Sequence, residues 1–303
     1  MARALNFGSL NLDYTYYVEH FVRPGETLDA ESQLVSPGGK GLNQSIALAR
    51  AGAEVYHAGC VGVGGQDLRE LLQSNGVDTA HLTPVKELQG NAVIQVVPSG
   101  QNCIILFGGS NRCVTRPQVD RTLAAFGEGD WLVLQNEINE LDYMVEQAYA
   151  RRMNVALNPS PYNANLSDVD FAKLSWLFVN EVEAEQISGS GDPDASWEYL
   201  HTRYPQLAVL VTLGGEGSIA YQMHEGQLQR IRQSSFVVDA VNTTGAGDTF
   251  TGYFVAGLME GLPLSSCMRR ASMAAAISVT RDGAAASIPM LQEVEDALAR
   301  VSC

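Results

Sequence analysis

The chain has 303 residues, 46% of them hydrophobic, and a formal net charge of −15. That content supports a large core, and the negative field disfavours nucleic acid and anionic membranes as partners. The five cysteines (Cys60, Cys103, Cys113, Cys267, Cys303) form no C-x-x-C pair and the five histidines share no ligand spacing, so neither a disulfide framework nor a zinc site is indicated.

No apolar run reaches the length of a membrane span. The first residues, Met1-Ala-Arg-Ala-Leu-Asn, lead straight into a strand-like segment without a signal-peptide pattern. A reduced cytoplasm is the expected location.

In chain order, strands are expected at Leu5–Leu10, Val55–Val61, Trp131–Gln135, Asn154–Asn158, Trp176–Asn180, Val209–Leu213 and Phe236–Val241. Helices are expected at Gly41–Ala51, Asp67–Ser74, Glu140–Arg152, Glu181–Ser188, Ala195–Tyr204, Thr249–Glu260 and Leu264–Thr280. Near-continuous apolar strands alternating with helices predict an α/β fold with a mostly parallel sheet covered on both faces. Two segments break this rhythm. Asp13–Gln33 and Gly90–Phe107 alternate like extended strands, and we read them as a small β-sheet lid on a single domain spanning 1–303. A pair of ordinary edge hairpins would carry the same pattern.

In such sheets ligands bind at the carboxyl ends of the strands, where the informative residues gather. Asn242-Thr-Thr-Gly-Ala-Gly-Asp-Thr-Phe-Thr-Gly252 opens a helix with a glycine turn. Gly245 and Gly247 allow an anion close to backbone, and the helix start favours negative charge. Asp248 in that turn could take a proton from a hydroxyl attacking phosphorus, although a simple capped helix would use similar residues.

Pro37-Gly-Gly-Lys-Gly-Leu-Asn43 is a second glycine turn before a helix. It lacks Walker A spacing, but Lys40 and Asn43 offer donors to a small polar ligand. Asn11 and Asp13 share a face at period 2 and could fix vicinal hydroxyls. Asn180 and Glu183 share a helix face, where a carboxylate could hold Mg²⁺ through water; acidic first turns are also common caps. Thr212-Leu-Gly-Gly-Glu-Gly217 is a third glycine loop, suited to nucleotide phosphates or ribose.

Together these segments resemble the ribokinase family, the PfkB carbohydrate kinases, over nearly the whole chain. Its N-terminal signature is similar to Gly38-Gly-Lys-Gly-Leu-Asn43 with Val61-Gly-Val-Gly-Gly-Gln-Asp67, and its C-terminal one to Asn242–Gly252. Its N-x-x-E element matches Asn180 and Glu183. The likeness is strongest to the ribokinase branch, through Asn11-Leu-Asp13 and the tail Ala276–Pro289.

The resemblance implies a three-layer fold with a β lid, often paired into a homodimer through that lid, and ATP-dependent transfer of the γ-phosphoryl to a sugar hydroxyl. Asp248 would be the base, and Gly245, Ala246 and Gly247 the anion hole. Asn11, Asp13, Gly39, Lys40, Gly41, Asn43 and Glu137 would bind the sugar; near Glu137, Asn136 and Asn139 could also reach it. Asn180, Gly247 and the loop Thr212, Leu213, Gly214, Gly215, Glu216 and Gly217 would bind ATP, with Glu183 on Mg²⁺ through water. A monovalent-cation site, K⁺ in the family, lands on Asn242, Thr244, Ser278, Arg281, Gly283 and Ser287, several through carbonyls. Asn242 stands where the family usually has Asp, which weakens the case for K⁺ here.

Ribose is the acceptor the branch implies. Fructose, deoxyribose, a nucleoside or a sugar acid are alternatives, because the lid run Tyr14-Thr-Tyr-Tyr-Val is unusual. A catalytically silent sugar sensor is the reading outside the enzyme class, and the intact Gly-Ala-Gly-Asp argues against it.

Overall fold

The computed structural model describes residues 2–301; Met1, Ser302 and Cys303 lie outside the described residues. The chain runs β1 (Ala4–Phe7), β2 (Asn11–Tyr17), β3 (Ser32–Gly38), α1 (Lys40–Arg50), β4 (Val55–Val63), α2 (Gln66–Ser74), β5 (Asp78–Leu88), β6 (Asn91–Val96), β7 (Asn102–Phe107) and α3 (Arg116–Leu123). It continues through β8 (Trp131–Gln135), α4 (Leu141–Ala150), β9 (Asn154–Asn158), β10 (Trp176–Asn180), α5 (Glu181–Ser188), α6 (Pro193–Arg203) and β11 (Ala208–Thr212). An antiparallel pair, β12 (Ser218–His224) and β13 (Gln227–Gln233), precedes α7 (Ala246–Glu260), α8 (Leu264–Val279) and α9 (Leu291–Val301).

Nine strands form the main sheet in the order β13-β12-β11-β10-β9-β8-β1-β4-β5. All neighbours from β11 to β5 are parallel, and the β11–β12–β13 edge is antiparallel. Strand side chains alternate between two cores. Leu132, Leu134, Leu177, Val179, Val209 and Val211 face a core shared with α3, α4 and α6. Val133, Trp176, Phe178 and Leu210 face the other, shared with α1, α7 and α8. Phe254 of α7 sits edge-on to Trp176 and Phe178, with ring centroids 5.0 and 5.5 Å away, a favoured aromatic geometry.

The second sheet has the order β3-β2-β6-β7. It contains the expected lid segments, with two corrections. Residues 18–31 are irregular chain, not strand, and β3 extends on to Gly38, so the glycine turn hangs directly from the lid. The expected strand Phe236–Val241 is also irregular and carries no ladder partner.

The close approach of α1 and α7 sets up what lies at their ends. A Cβ at Gly252 would lie 2.9 Å from Leu48 N and overlap Ala47, so only glycine lets the helices touch there. One turn further on, Asn43 and Gln44 of α1 therefore meet Asp248 of α7.

Candidate functional site

The site is built at the carboxyl ends of β1, β8, β10 and β11, under the lid. Gly245 takes a left-handed conformation (φ 76°), and α7 starts at Ala246. Asp248, in the first turn, is only 6% exposed. Its Oδ2 accepts from Asn43 Nδ2 and its Oδ1 from Gln44 Nε2, both at 2.9 Å. Accepting at both oxygens is the pattern of an ionised carboxylate. The Ala246 N–H turns back to Thr243 O at 3.3 Å.

Three more carboxylates and one ammonium surround this point. Glu137 follows β8, and its Oε2 accepts from Ser9 Oγ at 2.5 Å and from the Lys40 backbone N–H at 3.1 Å. Asp13, on β2, has its carboxyl pushed up to about 6. Burial is the main cause, Glu137 and Asp248 add repulsion, and Lys40 offsets part of it. For the Lys40 ammonium, burial acts to lower the pKa, but Asp248, Glu137, Glu183 and Asp13 outweigh it and raise it. The lysine therefore stays charged. It places one positive charge among these carboxylates, against the net negative charge of the chain.

Asn11 is buried, and its Oδ1 accepts from Asn111 Nδ2 at 2.7 Å. Gly39 and Gly41 flank Lys40; the Gly39 carbonyl accepts from the Asn43 N–H at 3.0 Å, and the Gly41 N–H donates to Ser9 Oγ at 3.2 Å. The neighbours of Glu137 are occupied elsewhere. Asn136 donates to Pro161 O at 2.6 Å, and Asn139 ties to Val114 through both its amide atoms.

On the far side of Gly247 opens a cavity of about 550 Å³. Thr212, Gly214, Gly215 and Gly217 line it with Ala246, Gly247, Phe250 and the irregular stretch around Phe236–Val238. Leu213 and Glu216 of the same loop do not line it. Leu213 is buried in the core, and Glu216 is exposed, paired with Arg232 at 3.2 Å. Asn180 and Glu183 form a reciprocal cap of α5: Asn180 Oδ1 accepts from the Glu183 N–H at 2.8 Å, and Glu183 Oε2 from the Asn180 N–H at 3.1 Å. The two are thus structural partners. Only one Glu183 oxygen is taken by the cap.

The residues expected around a monovalent cation come from neighbouring segments, but the side chains of Asn242, Ser278, Ser287 and Arg281 are otherwise engaged. Asn242 Oδ1 accepts from the Thr244 N–H at 2.9 Å. The Ser278 and Ser287 hydroxyls donate to Ala275 O and Ala284 O. Arg281 pairs with Glu293 at 2.5 Å, so its guanidinium is turned to α9. Gly283 has no side chain to offer and holds φ at 85°. Among the described residues no three His, Cys, Asp or Glu cluster to hold a metal. The engaged side chains of Asn242, Ser278 and Ser287 and the cationic Arg281 do not make a side-chain cation site.

Four residues absent from the expectations matter here: Gln44, Ser9, Asn111 and Gly38. Gln44 stands beside Asn43 among other polar residues of α1, so the sequence does not single it out. Its partner lies 204 positions away.

A family model described as pfkB family carbohydrate kinase matches residues 1–291. The chain is 35% identical over 296 residues to a ribokinase of Haemophilus influenzae, covering 94% of this chain and 95% of that one. A solved ribokinase of Cryptococcus neoformans in complex with ADP superposes with a TM-score of 0.85 at 34% identity, covering 98% of this chain and 100% of the other. An Arabidopsis thaliana ribokinase complexed with ribose and ATP gives 0.87 at 28% identity, covering 98% and 99%. With the two glycine turns, the acid at the α7 start and the β lid in place, the chain belongs to the pfkB family of carbohydrate kinases.

Proposed function

We propose that the chain is a ribose kinase that transfers the γ-phosphoryl of MgATP to the primary hydroxyl of D-ribose. The observation that carries this reading is the place of Asp248. Its buried carboxylate opens on one side to Asp13, Lys40 and Glu137, and on the other, across Gly247, to the cavity lined by the Thr212–Gly217 loop. A base between a polyol pocket and a nucleotide-sized cavity is what in-line phosphoryl transfer needs.

In this reading Asn11, Asp13, Gly39, Lys40, Gly41, Asn43 and Glu137 hold the sugar, with Asp13 taking its hydroxyls. Thr212, Gly214, Gly215 and Gly217 border the nucleotide, and Asn180 approaches its phosphates. Asp248 accepts the proton of the attacking hydroxyl as the new O–P bond forms and the bond to the ADP oxygen breaks. A positioned base contributes about 10²–10⁴-fold. The Gly245-Ala246-Gly247 turn and the start of α7 offset the charge on the transferring group. Glu183 would hold Mg²⁺ through water, and the ion would supply charge neutralisation at the ATP phosphates. Residues 1–303 act as one unit, and closure of the lid keeps water from the phosphoryl group.

We also read the lid as a homodimer contact. β7 is its edge strand, and Ile104, Ile105, Leu106 and Phe107 are each half exposed or more. An apolar edge in water invites pairing with a second copy. Cys60, Cys103, Cys113 and Cys267 are unpaired, in keeping with a reduced compartment, and no described helix is long and apolar enough to cross a membrane.

ADP release measured against D-ribose, 2-deoxyribose, D-fructose and nucleosides tests the assignment. D-ribose should give the highest kcat/KM by at least tenfold. A higher value for another acceptor would replace ribose, and no turnover with any would favour a silent sensor.

A further inference from the structure

Gln44 is wholly buried, and the transfer chemistry gives it no task. Its Nε2 donates to Asp248 Oδ1 at 2.9 Å, while its Oε1 accepts from Gln135 Nε2 at 2.7 Å. Gln135 Nε2 also donates to Asn6 Oδ1 at 2.9 Å. Asn6 Nδ2 then donates to Gly41 O and to Ser45 Oγ, both at 2.8 Å. All these side chains are buried.

An amide can sit either way round, but an ionised carboxylate and a backbone carbonyl only accept. Asp248 demands the N–H₂ of Gln44. That leaves the Gln44 oxygen facing Gln135, which must present N–H₂, and Gln135 in turn needs the Asn6 oxygen. The Asn6 N–H₂ is then left for the Gly41 carbonyl. The run has one consistent polarity, fixed at both ends by acceptor-only groups. One end is Asp248 of α7; the other is the Gly41 carbonyl in the first turn of α1, beside Lys40.

We propose that Gln44 is a positioning residue for Asp248, tying the carboxylate to the start of α1 and, through Gln135 and Asn6, to strands β8 and β1, so that the base is held by helix and sheet together. This rests on the reading of Asp248 as the base. Asn43 holds the other carboxylate oxygen, and its own buried Oδ1 has no hydrogen-bond partner. Asn43 thus has capacity for a sugar hydroxyl. Should it turn to one, Gln44 is the tether that remains. The charged groups facing Asp248 are Lys40 from α1 and Asp13 from β2, with Glu137 after β8 and Glu183 of α5 around the same lysine. The tests leave all four intact.

The experiment compares Gln44→Met, Gln44→Glu and Gln135→Leu with the unmutated chain by kcat–pH profile, KM for ribose and for ATP, ADP affinity and melting temperature. Losing an N–H donor disfavours the ionised carboxylate, so the acid limb of kcat should rise by about half a unit in Gln44→Met and by more than about one unit in Gln44→Glu, where two acids adjoin. KM for ATP and ADP affinity should stay within twofold. Gln135→Leu, which does not touch Asp248, should shift the limb in the same direction by less. If Gln44→Met fails to fold, Gln44→Glu, which keeps the side-chain length, carries the test. A folded Gln44→Glu with an unmoved limb overturns the proposal while the base reading stands, provided Asp248→Asn is inactive. An active Asp248→Asn overturns both.

Discussion

Gly38 and Asp13 lie so close across the β2–β3 pair that a Cβ at position 38 would collide with both carboxylate oxygens of Asp13, the farther one at 2.7 Å. The last residue of β3 thereby limits where the Asp13 carboxylate of β2 can sit.

Gly38→Ala should therefore push Asp13 aside with little effect on nucleotide binding. We expect the ribose KM to rise at least tenfold and the ATP KM to change less than threefold. Asp13→Ala should do the same more strongly, since two charge-assisted bonds are worth about 1.5–3 kcal/mol each. Steady-state kinetics with each substrate varied in turn checks this. Equal effects on both KM values would make Asp13 a structural residue.

The raised Asp13 carboxyl, about 6, has two consequences with opposite signs. Sugar binding uses the ionised form, so kcat/KM for ribose should fall as pH drops through 6. Folding favours the neutral form: the native state holds this proton more tightly than the unfolded chain, whose value is 3.8. The penalty for ionising Asp13 is thus absent below pH 4, grows between 4 and 6 and is complete above, reaching about 3 kcal/mol. Asp13→Asn should raise the ligand-free melting temperature at pH 7.5 and lose most of that advantage at pH 4.5, while ribose affinity drops. A lower melting temperature at pH 7.5 would contradict this account of the acid cluster.

How much of this was legible beforehand follows from burial. Trp131–Gln135, Asn154–Asn158 and Trp176–Asn180 are central strands covered on both faces, so their apolar runs mark their ends to the residue. β13, Gln227–Gln233, has an exposed face and reads as polar chain, and β5 is an edge strand with a mixed pattern. Phe236–Val241 misleads in the opposite direction: its apolar side chains serve the cavity wall and solvent, not a ladder. In the site, residues within motifs were visible because glycine and acid share a turn. Gln44, Gln135 and Asn6 were not, because their meaning lies in partners brought together only by the packing of α1 on α7 and β1 on β8.

The occupied donors around Asn242 predict weak monovalent-cation dependence. Turnover in Na⁺, K⁺ or Tris buffers should agree within about threefold, under 1 kcal/mol in barrier. Asn242→Asp should introduce K⁺ activation by supplying a charged ligand. A tenfold stimulation of the unmutated chain by K⁺ would mean that backbone carbonyls suffice.

The exposed edge of β7 predicts a concentration-dependent dimer. Ile105→Asp together with Leu106→Lys should shift the mass from two chains to one in light scattering after size exclusion. Unchanged mass would place the contact, if any, elsewhere on the surface.

The central claim is that Asp248 takes the proton of the sugar hydroxyl, and Asp248→Asn tests it most directly, since the amide keeps the size of the carboxylate. Turnover and the binding of ribose and ADP should be measured on the same folded sample. The account predicts a kcat at least about 100-fold lower, with both affinities within threefold of the unmutated chain. A variant that keeps more than a tenth of the original kcat would contradict it.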